Sequence, residues 1–199
     1  MAITNGYCTL VQVKTVLDFE DASVDDYDTE LELVIESVSR LIDDYCQRRF
    51  YSTTSDETKY YTPRSATLCQ IDECLSITTL KTDPSLNATY TTTWTTDDYY
   101  LFPYNSTPKT HIEVTPLGDY VFYKNVPKYV EVVGKFGYCD TDSHPKSITQ
   151  ACVMQSARIF KRRDSILGIA GTTQFGLVKL IGDVDPDVKM LLRPYVRYT

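Results

Sequence analysis

The side chains with which this sequence could do chemistry are six cysteines, two histidines and carboxylate pairs, three of them Asp-Asp. The cysteines stand at 8, 46, 69, 74, 139 and 152, the histidines are His111 and His144, and the Asp-Asp pairs are Asp25-Asp26, Asp43-Asp44 and Asp97-Asp98. Metal ligation needs donors at short fixed spacing, and the sequence offers neither a Cys-x-x-Cys pair nor a second ligand near either histidine. Cys69 and Cys74 are five apart and could meet across a turn, although six reduced, mostly buried thiols are the expectation for a cytoplasmic chain. Paired carboxylates hydrolyse bonds only when they converge in space, and adjacency in an acidic chain does not show that. No nucleophile elbow, phosphate-binding loop or His-Glu-x-x-His helix is present. The chain reads as non-enzymatic, with no cofactor and no metal.

The charge is more informative than these groups. The net value is −7, but residues 1–57 carry −9, residues 58–138 carry −1 and residues 139–199 carry +3. An acidic front and a basic back can neutralise each other within one fold, or between neighbours in a head-to-tail ring. A sequence-reading nucleic-acid domain would be basic overall. The first residues lack the basic and apolar regions of a secretory signal, and no apolar run reaches the roughly 20 residues of a membrane helix. A soluble chain made in the cytoplasm, with no membrane partner, is expected.

Two kinds of element must position these residues. Thr9-Leu10-Val11-Gln12 fits a capping box and starts a short helix to about Leu17. Asp25 or Asp26 is expected to cap a second, longer helix, in which Leu31, Val34, Ile35, Val38, Leu41, Ile42 and Tyr45 form one stripe. Arg48 and Arg49 would end it, where cations are favoured. Most of the sixteen tyrosines then fall between Tyr51 and Tyr138, where strand signals replace helical ones. Strands are expected around Lys59–Thr62, Ser76–Leu80, Tyr90–Trp94, Tyr99–Leu101, His111–Val114 and Tyr129–Val133, at the spacing of a small barrel or sandwich. A third helix begins near Pro145, carries Ile148, Ala151, Cys152, Gln155 and Ile159 along one side, and ends on Arg158, Lys161, Arg162 and Arg163. Residues 164–182 are too apolar for a plain linker and too glycine-rich for a helix, which suggests a mobile loop or hairpin. Asp185-Pro186-Asp187 caps a last short helix that Pro194 stops.

The expected fold class is α+β: a small bundle of about four helices from the N- and C-terminal thirds, with an inserted antiparallel β domain. The expected parts are residues 1–50, the first part of the helical core; 51–138, the β insert; and 139–199, the rest of the core with its glycine-rich loop and C-terminal arm.

Several stretches resemble the bacteriophage head–tail connector family, also called head-completion or adaptor proteins. They are Ser39-Arg40-Leu41-Ile42-Asp43-Asp44-Tyr45-Cys46 with Arg49-Phe50, and Phe136-Gly137-Tyr138 followed by Pro145. Ala151 through Arg163 with Asp164-Ser165 and Gly168, and Asp185-Pro186-Asp187-Val188 with Leu191 and Leu192, complete the match. The resemblance implies a structural virion protein of the head–tail neck, assembled in the host cytoplasm. It implies a ring of twelve copies beneath the portal protein, extending a DNA channel and docking the next neck, stopper or tail component. DNA would pass without sequence-specific binding. The C-terminal arm would touch the portal or a neighbouring subunit, and the glycine-rich loop would order on assembly.

On that reading the candidate interface comprises Arg158, Lys161, Arg162 and Arg163, then Ile166, Leu167, Phe175 and Leu177, and finally Tyr195, Arg197 and Tyr198. The bland alternative for the basic cluster is a solvated helix terminus. Because Lys and Arg in a channel would retard sliding phosphates, Asp25, Asp26, Asp28, Glu30, Glu32 and Glu36 are candidate channel-lining residues. They also fit an ordinary exposed helix start. A different class of function remains open: a non-enzymatic binding module, with a β domain on a helical stalk recognising protein or carbohydrate through exposed Tyr and Trp94.

Overall fold

Thr9 starts the first helix as its sequence requires. In the computed structural model, its hydroxyl accepts from the Gln12 amide at 3.3 Å, and the Gln12 side chain accepts from Thr9 N–H at 2.9 Å. The structure describes residues 3–18, 27–116, 118–140, 143–163, 169–170, 178–179 and 184–197. It divides into two units, Met1–Arg48 with His144–Thr199, and Arg49–Ser143.

The first unit is helical: α1 (Leu10–Val16), α2 (Asp28–Cys46), α3 (Lys146–Arg162) and α4 (Pro186–Leu192). Helix α3 packs against the other three. Its buried face includes Ala151, Ser156 and Ala157, small residues that let neighbouring backbones approach, beside Ile148, Cys152 and Phe160. Helix α2 buries Leu31, Ile35, Val38, Ser39, Ile42 and Cys46. Leu41, expected on that stripe, is instead 37% exposed, and Ser39 lies inside. The exchange has a physical reason: Ser39 satisfies itself by donating to the Ile35 carbonyl at 2.7 Å while accepting from Tyr7 N–H, 32 residues away, at 3.1 Å.

Both ends of α2 differ from expectation. The helix follows Tyr27, whose side chain makes no capping bond; Asp25 and Asp26, the expected caps, lie outside the described residues. It closes at Cys46, where Gln47 turns left-handed at φ 53° and Arg48 N–H reaches the Asp43 carbonyl at 3.2 Å. Arg49 therefore belongs to the second unit, not to the helix end. The C-terminal arm returns to the same place, with Arg197 N–H on the Cys46 carbonyl at 3.0 Å. Asp185 caps α4 as expected, accepting from Asp187 N–H at 3.0 Å. Within 164–182 the described residues form a two-stranded antiparallel pair, β7 (Ile169–Ala170) with β8 (Val178–Lys179).

The second unit holds six strands: β1 (Glu57–Tyr61), β2 (Leu68–Thr82), β3 (Thr92–Trp94), β4 (Tyr99–Phe102), β5 (Lys109–Val114) and β6 (Val130–Phe136). They form one antiparallel sheet, ordered β1-β6-β2-β5-β4 with β3 also on β2. The expected sandwich or barrel is thus a single open sheet among the described residues. It hangs on β2, whose length lets one strand carry β6 along one edge and both β5 and β3 along the other. Cys69 and Cys74 both lie on β2, so no turn brings them together; each is buried. The α+β class read from the sequence, with helices from both ends and an antiparallel sheet between, is the class observed.

The root of this insert is built from two of the stretches on which the connector resemblance rests. Tyr138 N–H donates to the Arg49 carbonyl at 2.9 Å and Cys139 N–H to the Phe50 carbonyl at 3.1 Å. The Arg49 guanidinium grips both Glu57 oxygens, at 3.0 and 3.1 Å, and the Phe136 carbonyl at 2.7 Å. Gly137 sits at φ +147°, and a Cβ there would run into the Tyr51 carbonyl.

Two carboxylates make this unit acid-sensitive. The Arg49 guanidinium holds the Glu57 pKa below its ordinary 4.5, and hydrogen bonds from the Thr95 hydroxyl and N–H hold Asp98 below its ordinary 3.8. Both are depressed in the folded state, so their stabilisation is present above the ordinary values and is lost as pH falls through the folded ones. The melting temperature of the full chain should hold to about pH 5 and fall below about pH 4.5. Glu57→Gln should flatten the fall, and an identical slope in that variant would remove Glu57 as its source.

Candidate functional site

The basic end of α3 and the acidic start of α2 meet inside the helical unit. Arg163 pairs with Glu30 at 2.8 Å, and its guanidinium lies 4.2 Å from the Tyr27 ring centroid and 3.9 Å from that of Phe160. Arg158 pairs with Asp185, the cap of α4, and Gln155 accepts from Asp185 N–H at 3.3 Å. Asp28 pairs with the buried Lys14. Glu36 accepts from Thr4 N–H at 2.6 Å. So Arg158, Arg163, Asp28, Glu30 and Glu36 each have a partner within their own unit. These bonds tie α3 to α4 and to the start of α2.

The rest of the sequence-derived set divides three ways. Lys161 is exposed at the end of α3, while Arg162 and Glu32 are half-buried. Tyr195 and Arg197 are half-buried on the arm that reaches the end of α2. Ile166, Leu167, Phe175, Leu177, Tyr198, Asp25 and Asp26 lie outside the described residues. Lys161 is exposed, as Arg163 and Glu30 are, but unlike them it is not held in their ion pair.

Little of this can do covalent chemistry. Burial pushes the Cys46, Cys74 and Cys139 thiols up to about 11 and Cys69 to about 12, so they stay protonated at neutral pH. The His111 ring stacks on Phe102 at 5.0 Å, with Nδ1 3.2 Å from the Thr110 hydroxyl. His144 meets the Tyr7 ring edge-on at 4.8 Å. Among the described residues no group of His, Cys, Asp or Glu could hold a metal ion, and no helix is long and apolar enough to cross a membrane.

The binding-module alternative asked for exposed Tyr and Trp94, and the insert exposes Tyr60, Tyr100, Tyr104 and Tyr123 but not Trp94. Trp94 is buried, stacked on Phe122 at 4.7 Å and 11°, with its indole N–H on the Thr82 hydroxyl at 3.0 Å. The expectation of an exposed Trp94 is therefore overturned. A surface cluster that sequence reasoning did not single out lies elsewhere: Tyr100, Phe102 and Tyr104 with His111 along β4 and β5. Its signal was available, because every second residue from 100 to 104 is aromatic.

No protein-family model matches this sequence, and no curated protein matches it. Solved structures do. A chain in the neck of an empty gene transfer agent (GTA) particle, computed with C6 symmetry, matches with a TM-score of 0.64 and 16% identity, over 100% of this chain and 94% of that one. A chain of the native particle's neck, computed with C12 symmetry, matches at 0.60 and 15%, over 100% and 93%. A chain in the virion of the native particle matches at 0.62 and 16%, over 100% and 94%. The protein thus belongs to a structural class in which a helical unit is interrupted by an antiparallel sheet. Its particular fold is that of chains from GTA particle necks.

Proposed function

We propose that this chain is a structural protein of a virion neck: a head–tail connector that assembles as a ring under the portal, extends the DNA channel and docks the next neck or tail component. The observation that carries this reading is the whole-length match to neck chains, which spans the helical unit and insert together. The C6 and C12 symmetries of the matching particles support a ring, and twelve copies is the number proposed. The connector resemblance of Arg49-Phe50 and Phe136-Gly137-Tyr138 adds support, because these stretches meet at the root of the insert. The proposed role is non-enzymatic, with the three parts and boundaries read from the sequence.

The ion pairs narrow the proposed contact surface. Charges already matched within the helical unit offer a neighbour less attraction than exposed ones, which leaves Lys161, with the apolar 166–177 segment and the arm, as the proposed points of contact. The acidic residues 25–36 are proposed to face the channel. An adaptor of this kind can be monomeric alone and assemble only on its template, so the test uses particles. Particles made without this chain should contain filled heads that lack tails, and adding the purified protein should restore tail attachment. Normal joining without it would end the proposal. Lys161→Glu should leave the melting temperature unchanged, because the side chain is exposed, yet lower the yield of tailed particles several-fold. A wild-type yield would remove the basic end of α3 from the interface.

A further inference from the structure

The helical unit contains a pair of thiols for which a neck role has no use. Cys8 precedes α1 and Cys152 lies on the buried face of α3, 144 residues away, yet their sulfurs are 3.3 Å apart. Cys152 is wholly buried, and Cys8 keeps 6% of its surface. The pair is held from several sides. Ser39 Oγ lies 3.6 Å from Cys152 Sγ, and Ser156 Oγ lies 4.0 Å from it. The neighbouring Tyr7 is fixed through its N–H on Ser39 and its hydroxyl on Asp43 at 2.5 Å. By contrast, the sulfurs of Cys69, Cys74 and Cys139 are turned to the carbonyls of Gln70, Ser76 and Phe50. The Cys8 S–H directed at the Cys152 sulfur lowers the Cys152 pKa and raises that of Cys8, so the pair divides into a favoured thiolate and its donor.

We propose that Cys8 and Cys152 are a covalent cross-link site, which a small-molecule disulfide such as oxidised glutathione converts into an intrachain disulfide. The Cys8 sulfur, the one with surface in reach, passes its proton to the Cys152 thiolate as it attacks the small disulfide; a mixed disulfide forms, and the departing small thiolate takes that proton from Cys152 and leaves as a thiol. The Cys152 thiolate then attacks the Cys8 sulfur, and the second small thiol leaves. The protein loses two hydrogens and two electrons, the small disulfide is reduced by the same amount, and the two protons end on the released thiols. Closing the sulfurs from 3.3 Å to a bond of about 2 Å moves them by little more than about 1 Å. The bond would tie the segment before α1 to α3. It closes a loop of 144 residues, so it restricts the unfolded chain strongly. The inference does not depend on the virion reading.

The test incubates the purified full chain with oxidised glutathione, then unfolds it and alkylates the free thiols. Of the six cysteines, four should be alkylated, and peptide mapping should place the cross-link at Cys8–Cys152. The oxidised protein should melt several degrees higher, a rise that dithiothreitol reverses and that Cys8→Ser lacks. To remove access as a limit, the denatured chain is also refolded in a glutathione redox buffer. Six free thiols after refolding, a stable glutathione adduct on Cys8, or a cross-link between other cysteines would each overturn the proposal.

Discussion

Trp94→Ala should destabilise the protein by about 3–5 kcal/mol, the usual range for removing a large buried aromatic. The indole is 4% exposed, stacked on Phe122 at 4.7 Å and packed against Tyr120 at 5.5 Å. Alanine would leave a cavity in the middle of the insert's core. It would also strip the Thr82 hydroxyl, itself in a residue 2% exposed, of its indole donor. Trp94→Phe separates the two effects: it keeps most of the stacking and loses the hydrogen bond, at a cost of about 0.5–1.5 kcal/mol plus the smaller volume. Urea unfolding followed by circular dichroism measures both. Trp94 is the chain's one tryptophan, so wild-type fluorescence excited selectively at tryptophan reports on the insert's core. An alanine variant within about 1 kcal/mol of wild type would mean that the sheet's core does not close on this ring.

Gly134→Val should cost at least about 1–3 kcal/mol, from overpacking against backbone that cannot yield. Strand β2 carries extra residues opposite β6, with register shifts between Cys74 and Ser76 and between Ile77 and Thr79. Gly134 pairs with Ile77 between those shifts, and a Cβ on it would land on the Ser76 carbonyl oxygen and 3.0 Å from Ile77 Cα. Even Gly134→Ala meets that oxygen, so the alanine variant should lose most of the same stability. Valine carries the higher strand propensity, so a propensity argument ranks the variants oppositely to a steric one. Wild-type stability in either variant would mean that β2 and β6 pair without the bulges.

The sequence and the structure agree most where side chains act on their own neighbourhood. The Thr9–Gln12 capping box, the Asp185 cap and the alternation of Val130, Val132 and their polar neighbours in β6 are local, and each was readable. Misreadings arose where a distant partner decides. Ser39 looks polar in sequence and is buried because the Ile35 carbonyl and Tyr7 N–H satisfy it. Arg49 looked like a helix terminus, and its partners are Glu57 and the Phe136 carbonyl, 87 residues on. The first half of β2 was missed because Asp72 and Glu73 hide its strand pattern; Asp72 sits on the solvent face, where Lys59 reaches it at 2.8 Å. Of the candidate site, the charges were legible and their pairing was not. Net values by segment show that acids and bases could meet, but not that Arg163 would find Glu30 in its own chain.

The paired backbone at the foot of the insert has a topological meaning. Because Arg49 and Phe50 are hydrogen-bonded to Tyr138 and Cys139, the two ends of the insert lie side by side within its own unit. From the standpoint of the helices, an excursion of almost a hundred residues is a short bridge, with a loop-closure entropy set by the stem and hardly by its contents. Such a module can lengthen, shrink or acquire new outer decoration while the scaffold that carries it stays unchanged.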